Sequence, residues 1–242
     1  MKRSNYKICQ DKPELQEYIM RLTEFVLRTA IDNNGSCYIA VSGSSQPKIL
    51  GEPMSKLNIK WKCVYFFFVD ERCVPLDDPE SNFKAWDEEF FSKVDIPRKN
   101  IFALDYDYAN SQEAAEKYEQ KLHSIWGDFV PVFDLIFLGM GPDGHTCSLF
   151  PSSSLLSEDK KWVTSIDDSP KPPASRITFT YPVLNNAENV FFVLTGENKA
   201  HVIHSIFTSS DRTPEIPAGL VKPQGEFIWV LDKDAAKLIR DY

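Results

Sequence analysis

Short apolar runs that recur between stretches of helical period constrain this chain more than any other feature of its sequence. Candidate strands fall at Cys37–Val41 and at residues 62–69, 101–104, 133–138, 162–166, 177–181, 189–194 and 227–231. Several are apolar throughout instead of alternating, the pattern of strands covered by helices on both faces of a parallel sheet. Between them, helical spacing appears at residues 82–92, 111–125, 198–207 and 234–240. An earlier helix places Leu15, Tyr18, Ile19, Leu22, Phe25 and Val26 on one face, with a start signal at Asp11-Lys12-Pro13-Glu14 and a stop at Gly35. Such β–α alternation predicts an α/β fold, a Rossmann-like doubly wound and mostly parallel sheet with helices on both faces. With 242 residues, one domain spanning 1–242 suffices. The loops at 152–160, 167–175 and 208–217 are rich in Ser, Asp and Pro, and none reads as a domain linker.

Charge and cysteine usage narrow the partners. A net charge of −8 disfavours nucleic acid and anionic membranes, and no apolar run is long enough to span a bilayer. Cys9, Cys37, Cys63, Cys73 and Cys147 are odd in number and form no C-x-x-C pair, so neither a disulfide framework nor a zinc site is expected. That usage suits a reducing compartment. No apolar core follows the basic start at Lys2-Arg3, so no signal peptide is expected and the chain reads as cytoplasmic. His201 and His204 have a metal-like spacing without a third ligand nearby, and read as surface residues. A monomer that needs neither metal nor cofactor is expected.

In open α/β sheets the chemistry sits at the carboxyl ends of the strands. Ser42-Gly43-Ser44-Ser45-Gln46-Pro47 follows the first long run. It is either an anion site of backbone N–H groups and hydroxyls at a helix N-terminus or an ordinary tight turn. Asp70-Glu71-Arg72 follows the second, as a functional cluster or a solvated charged loop. The most informative stretch is Gly139-Met140-Gly141-Pro142-Asp143-Gly144-His145-Thr146-Cys147-Ser148. Its glycines permit sharp turns and close approach of a ligand. His145 can exchange a proton near neutral pH, and Asp143 is near enough to orient it. Gly139-x-Gly141-x-x-Gly144 also matches a dinucleotide fingerprint, with Asp167 as the ribose acid, although Pro142 and His145 are out of place in one. A Cys147 nucleophile with His145 as its base is disfavoured, because residues two apart on a helix do not face each other. Arg176 and Lys199 open the next two segments and together supply a planar fork and a point charge for a phosphate dianion.

These residues resemble the 6-phosphogluconolactonase family. The likeness is carried by Ser42-Gly43-x-Ser45, Val69-Asp70-Glu71-Arg72-Cys73-Val74-Pro75 with Ser81-Asn82, and residues 138–151. Arg176-Ile177-Thr178, Gly196-Glu197-Asn198-Lys199 and Ile216-Pro217-Ala218 extend it over nearly the whole chain. The resemblance implies hydrolysis of 6-phosphoglucono-1,5-lactone to 6-phosphogluconate, the second step of the oxidative pentose phosphate pathway. It further implies His145 as general base on water, Asp143 orienting it, and Asp70 binding sugar or ordering the water. Gly43, Ser44, Ser45, Arg72, Gly141, Gly144, Arg176 and Lys199 would bind substrate, with N–H groups near Gly141 and Gly144 facing the oxyanion. The similar glucosamine-6-phosphate deaminases continue Asp-Gly-His with Ile-Ala-Phe-Asn-Glu-Pro, where this chain has Thr146-Cys147-Ser148-Leu149-Phe150-Pro151. Phe150 cannot do that glutamate's work. A sugar-phosphate-binding homologue without turnover is the alternative from another class. Lactonases commonly read Ser-Gly-Gly-Ser in the first loop; Ser44 replaces the second glycine and carries strain if the loop needs φ > 0.

Overall fold

The computed structural model describes residues 5–208 and 216–239. The expected amphipathic helix, α1 (Lys12–Asn34), follows a short strand β1 (Tyr6–Cys9). Asp11 caps it by accepting from the Glu14 N–H at 2.9 Å, and Gly35 ends it at φ 75°. The chain then runs β2 (Cys37–Val41), α2 (Gln46–Ser55), β3 (Val64–Phe68), β4 (Asp70–Arg72), α3 (Asn82–Glu89), β5 (Ile101–Phe102) and α4 (Ser111–Trp126). It continues with β6 (Leu135–Leu138), β7 (Val163–Ile166), β8 (Arg176–Phe179), α5 (Tyr181–Leu184), β9 (Asn189–Leu194), α6 (Ala200–Thr208), α7 (Pro217–Leu220) and β10 (Glu226–Asp232).

Seven strands form one wholly parallel sheet in the order β1-β10-β9-β6-β2-β3-β5. Successive strand residues point to opposite faces, and the sequence uses both. Phe66 and Phe68 of β3 pack with Leu15, Leu50 and Trp86 of α1, α2 and α3 on one side. Phe67 packs with Tyr118 and Leu122 of α4 on the other. Large apolar side chains on both faces explain why the strands read as unbroken apolar runs.

Three expectations need correction. The runs at 162–166 and 177–181 are β7 and β8, but they leave the main sheet and pair antiparallel in a second sheet, β4-β8-β7. Its third strand, β4, is the charged Asp70-Glu71-Arg72 segment. Instead of a helix at 234–240, residues 233–238 form turns, where the Asp232 carboxylate accepts from the Ala235 N–H at 2.7 Å; residue 240 lies outside the described residues, as do residues 1–4 and 209–215, which hold the basic start and most of the 208–217 loop. The edge strand β1 was not anticipated, because four residues with a lysine give little periodicity. No described helix is long and apolar enough to cross a membrane.

From β2 the chain proceeds through β3 to β5 on one side, then returns to β6 on the other side of β2. The strand order therefore reverses between β2 and β6, and a crevice opens beyond their carboxyl ends.

Candidate active site

The loops after β2 and β6 line a cleft of about 320 Å³ at that crevice, within the range of small-molecule sites. In the first loop, Ser42 is buried and donates its hydroxyl to the Phe137 carbonyl at 3.1 Å, while its own carbonyl accepts from Trp86 Nε1 at 2.8 Å. Gly43 is required by crowding: a Cβ there would stand 1.7 Å from Asn82 Oδ1. Ser44 lies at φ 58°, the left-handed region expected for the position where lactonases carry glycine. Ser45 caps α2 with helical backbone angles and a hydroxyl that makes no capping bond. Among the described residues, no group accepts from the N–H of Gly43, Ser44 or Ser45. These N–H groups stand open at the start of a ten-residue helix, the kind of place where an anion can be held.

The charged triplet divides by role. Asp70 is 6 % exposed, lines the cleft, and accepts from Ser148 Oγ at 2.9 Å. Glu71 points away: its carboxylate accepts from the N–H groups of Arg72, Asn82 and Phe83, each at 2.8 Å. It thus ties β4 to the start of α3 and holds Asn82 against Gly43. Burial, opposed by those three bonds, pushes its carboxyl up to about 7. Arg72 donates Nη1 to the Glu80 carbonyl at 2.6 Å, and its Nε, buried at the cleft, has no partner among the described residues.

The β6 loop holds His145 against Asp143, with Nδ1 2.5 Å from Oδ1. A carboxylate only accepts, so Nδ1 carries the hydrogen and Nε2 is the basic nitrogen. The ring packs on Phe150 at 4.7 Å between centroids. Burial lowers the His145 pKa; Asp143 opposes this, Lys171 adds to it, and the net position is below the ordinary value. Burial alone would raise the Asp143 carboxyl, but the hydrogen bond and charge of His145, together with Lys171, bring it below its usual range. Gly141 has to be glycine, since a Cβ would lie 2.1 Å from His145 Cε1.

Two of the N–H groups considered for the oxyanion, those of Gly141 and Gly144 themselves, are engaged within the loop. Gly141 donates its N–H to the His145 carbonyl at 2.9 Å, and Gly144 donates to the Gly141 carbonyl at 3.0 Å. Gly144, at φ 85°, turns the loop; a Cβ there would meet Ile216 Cγ2 at 2.5 Å. The dinucleotide reading also fails: turns, not a helix, follow Gly144, and Asp167 accepts from Ser111 and Ser175, each at 2.7 Å. Cys147 is buried at φ 52°, and burial raises its thiol pKa well above the ordinary value, so it stays protonated.

Arg176, 3 % exposed, lines the cleft but spends Nε and Nη2 on the carbonyls of Pro173, Lys171 and Pro172 at 2.9–3.1 Å. It anchors the 171–173 loop as much as it faces a ligand. Lys199 also lines the cleft, donating to the Thr195 carbonyl at 2.8 Å. Sequence reasoning missed Lys171, whose Nζ stands 3.4 Å from His145 Nδ1 and 3.8 Å from Asp143 Oδ1. It also missed Gln46, on the cleft wall. Nothing in a Pro-rich loop announces that it folds back over a histidine 26 residues earlier.

The family model for glucosamine-6-phosphate isomerases/6-phosphogluconolactonase matches residues 10–229. The chain is 41 % identical over 214 residues to the chloroplastic 6-phosphogluconolactonase 3 of Arabidopsis thaliana, covering 84 % of this chain and 65 % of that protein. It is 47 % identical over 174 residues to the 6-phosphogluconolactonase of Homo sapiens, covering 71 % of this chain and 67 % of that one. The chain thus spans about two thirds of the length of these curated relatives. Among solved structures, the 6-phosphogluconolactonase of Thermotoga maritima superposes with a TM-score of 0.84 at 28 % identity, over 95 % of this chain and 100 % of that one.

Proposed function

The chain belongs to the family of glucosamine-6-phosphate isomerases and 6-phosphogluconolactonases, and from that membership we propose that it hydrolyses 6-phospho-D-glucono-1,5-lactone to 6-phosphogluconate. The observation that carries the reading is the His145–Asp143 pair, 2.5 Å apart, in a cleft that also holds an open anion loop and four cations.

A δ-lactone is an activated ester, so no covalent nucleophile is needed. His145 Nε2 takes a proton from water as the oxygen attacks C1. Asp143 holds the Nδ1–H tautomer and stabilises the imidazolium that forms. The C1–O5 bond then breaks, and Nε2 returns the proton to O5, opening the ring to the acid. The N–H groups of Gly43, Ser44 and Ser45 receive phosphate oxygens, with Lys199 and Arg176 supplying charge. With the Gly141 and Gly144 N–H groups engaged, the developing oxyanion falls to the cations, and Arg72, with Nε unpaired, is the first of them. Asp70, held by Ser148, accepts from a sugar hydroxyl or from the attacking water.

A deaminase reading lacks its acid, since the Phe150 ring lies against His145. The protein acts as a monomeric, single-domain cytosolic enzyme, and its five free cysteines fit a reducing compartment. The test is freshly prepared 6-phosphogluconolactone, with and without protein, corrected for spontaneous hydrolysis. Acceleration is expected, with no ammonia released from glucosamine 6-phosphate. No acceleration, with the sugar phosphate still bound in calorimetry, would select the non-catalytic reading.

A further inference from the structure

Gln46 opens α2 immediately after the anion loop. Its side chain lines the cleft, and Nε2 lies 3.9 Å from where a Cβ on Gly139 would stand, so the carboxamide sits between the two loops that form the crevice. Gln46 is 1 % exposed, yet among the described residues neither Nε2 nor Oε1 has a hydrogen-bond partner. Two other buried polar groups of the cleft are paired, Ser42 with Phe137 and Asp70 with Ser148. A buried amide left unpaired in this way calls for an explanation, because an apolar residue of the same length would fill the space without desolvating a donor and an acceptor.

The carboxamide's own chemistry selects what it meets. It offers two donor hydrogens and an acceptor oxygen side by side. A phosphate dianion or a lactone carbonyl only accepts, and either would leave Oε1 unpaired. A hydroxyl both donates and accepts, and satisfies both ends. We infer that Gln46 is a specificity residue whose carboxamide hydrogen-bonds a secondary hydroxyl of the sugar ring. This rests on the proposed lactonase reading and adds to it the group that recognises the ring between the phosphate and the reacting carbonyl.

The test compares wild type with Gln46→Leu on 6-phosphoglucono-1,5-lactone and on its 2-deoxy, 3-deoxy and 4-deoxy counterparts. Wild type is expected to disfavour at least one deoxy lactone by about 10–100-fold in kcat/KM, because its absence strands the buried amide. In Gln46→Leu that penalty should shrink to within about threefold, with the melting temperature unchanged or raised. A structural role would lower activity on all four lactones alike and leave the preference intact. An undiminished preference in the variant, or a wild type indifferent to all three deletions, overturns the inference. Should the leucine variant not fold, Gln46→Met makes the same comparison. Wild type that fails to accelerate the parent lactone defeats the lactonase reading instead. In that case calorimetric titration of 6-phosphogluconate and its deoxy forms still tests Gln46, through the same loss of preference in binding.

Discussion

Replacing Ser44 by glycine should stabilise the protein while leaving catalysis intact. Ser44 is held at φ 58°, where an L side chain crowds its own carbonyl at a cost of about 1–2 kcal/mol. Its side chain is exposed and makes no hydrogen bond among the described residues, so little is lost on removal. Glycine restores freedom to the unfolded chain, which subtracts about 0.4–1 kcal/mol. The net gain is about 0.5–1 kcal/mol, which for a chain of this size raises Tm by about 1–4 °C. Urea midpoints with a shared slope, and KM on the same preparations, measure both sides. KM should stay unchanged or fall slightly, because the open N–H groups keep their direction. A variant that is less stable and also has a higher KM would refute the strain argument. It would mean that the Ser44 hydroxyl binds the phosphate and that the left-handed turn is worth keeping for it.

His145→Ala should lower kcat by about 10²–10⁴; retention of more than half the wild-type value removes His145 from the mechanism. A base must be neutral, and burial holds His145 below its ordinary 6.5, so kcat/KM should stay level through neutral pH and fall only on acidification below that value. An acidic limb centred above it contradicts the burial argument. Lys171→Ala removes a charge that disfavours the imidazolium, so the limb should move to higher pH, and a limb that stays put or moves lower refutes the coupling. Lys199→Ala and Arg176→Ala should each reduce kcat/KM for the phosphorylated lactone by about 10–150-fold, mainly through KM. The phosphate-free lactone should be nearly indifferent to Lys199→Ala. Arg176→Ala should in addition destabilise the fold by about 1.5–3 kcal/mol, because it frees the carbonyls of residues 171–173, and unaltered stability would show that this anchoring is incidental.

What the sequence disclosed and what it withheld divide by range. The α1 cap at Asp11, its stop at Gly35 and the buried strands β2, β3, β6 and β9 follow from local patterns of a few residues. The His145–Asp143 pair was legible for the same reason, since two residues in a glycine turn have little choice but to meet. The second sheet was not. β4 consists of Asp70, Glu71 and Arg72, residues that disfavour a strand, and only pairing with β8, about a hundred residues later, makes them one. In sequence Glu71 therefore reads as one charge among three, whereas in the structure its carboxylate caps the segment that carries Asn82. The availability of an N–H group is equally invisible in sequence. Gly141 and Gly144 look like oxyanion donors until the turn they build consumes both hydrogens.

Most departures from an otherwise satisfied structure, among the described residues, fall in one place. Three described non-glycine residues have positive φ, and two of them, Ser44 and Cys147, line the cleft. Of the four buried side-chain atoms without a partner among the described residues, three belong to Gln46 and Arg72, which line it too. Strain and unpaired polar groups each oppose folding, and a sequence selected for stability alone would scatter or remove them. Their convergence beyond β2 and β6, where the strand order reverses, is what is expected when local consistency yields to a ligand's requirements. Three of these departures, all but Cys147, also have a chemistry that the proposed phosphorylated sugar would meet. The left-handed turn at Ser44 leaves N–H groups open to an anion, Arg72 Nε is an unused donor, and the Gln46 amide would suit a hydroxyl. Against a net charge of −8, the four cations gathered at that crevice would draw the proposed anionic substrate to the region where binding would relieve strain and unpaired groups.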